Sequence, residues 1–150
     1  MMKTLLIPLL LGLAGLAVGA AGGLVLRPDP APEAEPVVEE PAEPPEYAKL
    51  SNQFVIPVLE DGEITSLVVL SLSLEVSPGS TALVHQHEPK LRDVFLQVLF
   101  GHANSGGFRG SFTDSANLVP LRMSLLEAAQ SVLAEVVRDV LIGDIVRQDS

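Results

Sequence analysis

The chain has 150 residues, a formal charge of −10, 47% hydrophobic residues, 12 Pro, 12 Gly and no Cys. Nine Lys and Arg face nineteen Asp and Glu without forming a basic cluster, which argues against nucleic acid as a partner. The lack of Cys excludes a disulfide framework and a lipid-modified cysteine anchor.

Residues 4–26 carry no formal charge and follow Met1-Met2-Lys3. At about 1.5 Å per residue such a run makes a helix of roughly 35 Å, enough to span a bilayer. Val18-Gly19-Ala20 has the small residues of a signal-peptidase site, yet the apolar run continues through Leu24-Val25-Leu26 and stops at Arg27. Cleaved signal cores last only about 7–15 apolar residues, so the segment reads as a retained signal anchor. Lys3 flanks one end and Arg27 the other; the expectation is a cytoplasmic stub of residues 1–3 and a periplasmic remainder. Gly15, Gly19 and Gly23 recur at four-residue intervals on one helical stripe, where a second helix can pack closely. Gly and Ala are also common in membrane helices generally.

Residues 27–46 read as a linker. Positions 28–46 hold seven of the twelve prolines and seven of the nineteen acids, with no Lys or Arg. Pro presets extended backbone and like charges repel, so the expected state is a stretched, solvated spacer.

Residues 47–150 are enough for one compact domain, with seven basic and twelve acidic side chains. A short strand is expected over 53–60, with Pro57 marking an edge or a bulge. Asp61-Gly62 is a turn signal before a longer strand. There Val68, Leu70, Leu72, Leu74 and Val76 alternate with Ser71, Ser73 and Glu75, so one face is buried and the other wet.

Pro78-Gly79-Ser80 ends the sheet run. Leu91, Val94, Phe95, Val98 and Leu99 then follow the helical period, with Pro89 either opening that helix or kinking one that starts near Thr81. Glu88 and Arg92 are spaced as a helical ion pair. Residues 101–117, rich in Gly, Ser and Asn, read as a long mobile loop. A second helix is expected from about Val119, burying Leu121, Leu125, Ala128, Ala129, Val132 and Val136. Val140, Leu141, Ile142, Ile145 and Val146 leave the last segment almost no wet face, the pattern of a strand enclosed on both sides. Asp144 interrupts it and is expected at a sheet margin or paired with an Arg such as Arg92 or Arg122. The predicted class is α+β: a small sheet with two helices.

Chemistry-bearing patterns are sparse. His85, His87, Glu88 and His102 are the only metal-like grouping, but helical i and i+2 positions diverge by about 200°, and a zinc site needs three or four ligands. They read as ordinary polar residues, so no metal and no cofactor is expected. There is no Gly-x-Ser-x-Gly elbow for a nucleophile, and Gly106-Gly107-Phe108-Arg109-Gly110 lacks the Lys-Ser/Thr of a phosphate loop. Phe108, Arg109 and Phe112 combine aromatic and Arg side chains as interface anchors do, although Phe112 is equally suited to a core.

Several runs resemble a known family. They are Glu88-Pro89-Lys90-Leu91-Arg92-Asp93-Val94-Phe95, Leu118-Val119-Pro120-Leu121-Arg122, and the closing Asp139-Val140-Leu141-Ile142-Gly143-Asp144-Ile145-Val146-Arg147-Gln148. With the anchor, acidic spacer and hairpin they resemble the flagellar basal body-associated FliL family. The resemblance implies a single-pass inner-membrane protein whose periplasmic head is similar to stomatin-type domains. It also implies homo-oligomeric rings around the stator units of the flagellar motor, supporting torque and motility, and no catalytic residues. The 101–117 segment departs from that pattern in its length and glycine content. A reading from another class is a sensor for a small molecule or peptidoglycan, with 101–117 as the lip of its pocket.

Overall fold

The computed structural model describes residues 42–150. The expected anchor, with Gly15, Gly19 and Gly23, and the linker up to residue 41 lie outside the described residues. Among the described residues no helix is long and apolar enough to cross a membrane.

The fold is α+β. Its elements are β1 (Glu46–Lys49), β2 (Phe54–Glu60), β3 (Glu63–Val76), α1 (Thr81–Gln86), α2 (Glu88–Asn104), α3 (Ser115–Leu133), a 3₁₀ turn (Ala134–Val136) and β4 (Val137–Asp149). β1 was not anticipated and opens on Glu46, the last residue read as linker. Its carboxylate accepts the Thr81 hydroxyl at 2.6 Å, and that bond leads the contacts that hold Glu46 below the ordinary carboxylate range.

β3 is the spine of the sheet. β1 pairs with it along Ser73–Val76, β2 along Glu63–Leu70 and β4 along Ser66–Val76, all antiparallel. Since β4 shares partners with both short strands, β1 and β2 occupy one edge of β3 and β4 the other. The β2–β3 hairpin turns on Asp61 and Gly62, whose φ angles of 52° and 84° match the twist of the flanking strands. Pro57 sits on an edge strand, where its missing N–H costs nothing. The irregularity comes later, between Val58 and Leu59, where Thr65 is left without a register partner.

β4 departs from expectation. It is an edge strand rather than an enclosed one, with only Val137 and Val140 buried. The register skips Arg138 and Gly143, two bulges in one strand. Each bulge shifts the alternation by one residue. The inward set is therefore Val137, Val140, Ile142 and Ile145, opposite Val76, Leu74, Leu72 and Leu70. Leu141 and Val146 fall on the outer face, which is why the strand looked apolar all round.

The helices form one layer on the inner face. α2 buries Leu91, Phe95, Leu99 and Ala103 at strict four-residue spacing, and α3 buries Leu121, Leu125, Ala129 and Leu133. Ala128, Val132 and Val136 are only partly buried. His87 breaks the helical path, so α1 and α2 are separate and Pro89 lies in the first turn of α2. α3 starts four residues earlier than expected and carries Pro120 inside it. Phe54 and Phe95 meet edge to face at 6.2 Å between sheet and helix.

The β1–β2 connection clasps the start of α2. Ser51 donates through its amide and its hydroxyl to Glu88, both at 2.8 Å. Arg92 donates to the Asn52 and Gln53 carbonyls and covers the Phe54 ring at 4.3 Å. Glu88 and Arg92 therefore do not pair with each other: each has a better partner roughly forty residues away in sequence.

Candidate functional site

The α2–α3 connection is the first candidate surface, and it differs from the expected long mobile loop. Residues 101–104 continue α2 because Ala103 extends its buried stripe, so the connection is residues 105–114 only. Phe108 is fully buried in the core and cannot serve as an exposed anchor. Arg109 is exposed but committed: it donates to the Leu59 carbonyl at 3.2 Å and pairs with Glu60 at 3.2 Å. Phe112 is partly buried, with the Arg147 guanidinium 4.9 Å from its ring centroid.

Arg147 was not singled out from sequence. It donates to the Phe108 carbonyl at 3.2 Å and to the Gly110 carbonyl at 3.3 Å, and its Nε pairs with Asp149 at 3.1 Å. It lies opposite Val68 on the helix side of the sheet. From there one planar cation holds the connection against the end of β3. The cleft of about 250 Å³ left between them is lined by Ser66, Thr65, Arg109, Arg147, Glu60 and Asp149. Its cations and acids already satisfy each other or backbone carbonyls, so it presents no unpaired charge to a ligand.

The second candidate is the outer face of the sheet, which no described element covers. Val55, Val69 and Val146 form a row across β2, β3 and β4. Val55 and Val146 are each 53% exposed, and Tyr47 on β1 is 58% exposed. Pro57 and Leu67 make a neighbouring pair on the same face. Asp144 also emerges here, opposite Ser71, because the Gly143 bulge turns it outward. It is exposed and has no ion-pair partner among the described residues, contrary to the pairing expected with Arg92 or Arg122. The Arg122 Nε is buried without a hydrogen bond among the described residues.

The third is the far side of the helical layer. Phe100, Val119 and Met123 are exposed there, Met123 to 67%. A shallow hollow of about 490 Å³ is lined by Pro120, Met123, Leu126, Glu127 and Gln130. The described residues thus present apolar surface on both layers, while their most polar cleft has its charges already paired. Exposed apolar surface of this kind is typical of contact with other macromolecules.

The histidines are separated by their structural roles. His85 is 3.5 Å from Glu88, and the His87 ring contacts the Leu83 carbonyl at 3.0 Å. His102 lies at the far end of α2, against Phe108. Around Glu88 desolvation raises the carboxyl, but the two Ser51 bonds and His85 outweigh it and hold the group below the ordinary range.

The described domain coincides with a sequence match. Residues 47–148 match the family model of the flagellar basal body-associated protein FliL. The chain belongs to the FliL family. FliL membership spans the head from the first residues of β1 to the end of β4, and so includes all three candidate surfaces. It assigns the chain to a flagellar basal body-associated family. Comparison with curated proteins gives no match.

Proposed function

We propose that this protein is a non-enzymatic accessory of the flagellar motor, held in the inner membrane by residues 4–26 with its head in the periplasm. The head oligomerises around stator units and supports them while torque is generated. FliL family membership across the whole head carries this reading. The exposed apolar surfaces support it as well. The Val55–Val69–Val146 row and the Val119–Met123 region lie on opposite layers, so the head offers two different apolar faces. Contact between two different faces is head to tail, and such contacts close into rings when the rotation permits.

The anchor would set the height of the head, and the acidic spacer would let it reach its neighbours. Confinement to a membrane raises the effective concentration of each weak contact. The test is a fluorescent tag on the chromosomal copy, imaged with and without stator units. Motor-associated foci that fade without stators are expected; uniform membrane fluorescence would sink the proposal. Deleting residues 28–45 while keeping anchor and head should reduce swimming, and unchanged motility would remove the spacer from the mechanism.

A further inference from the structure

His102 has no role in the assembly reading, yet its surroundings are unusual. Its Nε2 is buried and has no hydrogen-bond partner among the described residues. Its ring meets the fully buried Phe108 edge to face at 4.8 Å. The other side is closed by Gly107, where a Cβ would overlap the imidazole. The turn around it is tight: Gly106 donates to the Ala103 carbonyl at 3.0 Å, and Gly107 to the His102 carbonyl at 2.9 Å. Phe108, whose ring packs on His102, is also the residue whose carbonyl receives Arg147.

A neutral imidazole fits this site with one bare acceptor. A protonated one has N–H donors on both nitrogens, and its charge would be buried with only the Gly107 backbone to offset it in part. The neighbouring hollow is lined by Gln97 and Val98 of α2, Ser105 of the connection, and Pro120, Leu121 and Ser124 of α3, all uncharged. On the connection itself the charged groups are Arg109, whose stem lies against Gly106, and Asp114 at the start of α3. α3 adds Arg122 and Glu127, the latter lining the other hollow. Among the described residues no carboxylate lines the hollow beside His102, so water is the group that can meet the new charge there.

We propose that His102 is a proton-operated latch: when its ring takes up a proton, the Gly106–Phe108 turn opens to water and the α2–α3 connection loosens from the end of the sheet. The connection carries Arg109 and receives Arg147, so opening alters the only point at which residues 105–114 are tied to β2 and β4 by side-chain donors among the described residues. Burial pushes His102 below the ordinary histidine range, against a smaller opposing contribution from the Gly107 backbone, which accords with a closed neutral form. The device belongs to the head and does not depend on its partner.

The experiment is hydrogen exchange on the full-length protein in mild detergent at pH 7.5 and 5.5, corrected for intrinsic rates. Residues 105–114 should lose roughly tenfold in protection at the lower pH, with β3 unchanged, because an open state with ordinary histidine affinity gains about tenfold per pH unit below about 6.5. In His102→Gln the pH dependence should vanish. Equal protection at both pH values in the native chain, or the same acid loss in His102→Gln, would overturn the latch. A second readout needs no change at His102. In the His85→Asn/His87→Asn chain, His102 is the sole histidine, and its ring proton signals should titrate below about 6.5. A midpoint at or above that value would show that the carbonyl end of α2 stabilises the cation, and the latch would fail.

Discussion

Replacing Arg147 by Met removes the guanidinium while keeping much of the apolar stem. Its NH1 is shared between the Phe108 and Gly110 carbonyls at 3.2 and 3.3 Å, so the pair counts as about one good charged bond, roughly 1.5–2 kcal/mol. The contact over Phe112 at 4.9 Å adds about 0.5–1 kcal/mol. The pair with Asp149, whose side chain is 72% exposed, contributes about nothing once solvent screening is counted. The expected loss is therefore about 2–3 kcal/mol in urea unfolding of the full-length protein. Lost exchange protection should be concentrated in residues 105–114. Arg147→Lys keeps the charge but not the planar fork, and should still lose about 1–2 kcal/mol. A loss below about 0.5 kcal/mol for Met, or one spread evenly over the sheet, would refute the view that this side chain ties the connection down.

Gly107→Ala forces a methyl into the His102 ring and should cost about 1–3 kcal/mol by thermal or urea melting; His102→Ala on that background should recover part of it. Glu88 is held below the ordinary carboxylate range, so its contribution is present above about pH 4.5 and fades as pH falls through its folded value. Glu88→Gln should be less stable than the native chain at pH 7 and flatter between pH 6 and 3.5, as read by melting temperature against pH. Val146→Asp and Met123→Asp, on opposite layers, should each reduce self-association in sedimentation and weaken swimming. Their effect on head stability should stay within about 1 kcal/mol, and full retention of self-association would detach these faces from assembly.

The β2–β3 hairpin and the stripe of α2 were legible because each follows a single period throughout: Val68 to Val76 in twos, Leu91 to Leu99 in helical steps. The turn at Asp61-Gly62 was legible for a related reason, since few residue pairs tolerate positive φ at both positions. Reading β4 went wrong where period fails. Bulges at Arg138 and Gly143 change which side chains face inward, and bulges leave no consistent mark in composition. Residues 101–104 went wrong because Gly and Asn lower helix propensity by only about a kcal/mol or less, which packing of Ala103 overrides.

The candidate surfaces divide in the same way. Residue types pointed to Phe108, Arg109 and Phe112, but only the folded chain decided that Phe108 is core and that Arg109 is already engaged. Arg147 stood in the closing motif, but its role as a tie was not legible, since its partners lie 37 and 39 residues away. The sequence by itself determined the division into an apolar run, an acidic Pro-rich segment and an α+β head, and the family to which that head belongs. Tertiary structure alone decided which strand is central, which apolar residues remain exposed, and what each arginine holds. Local period reports only the face a residue takes on its own element; which neighbour covers that face depends on contacts between segments far apart in the chain.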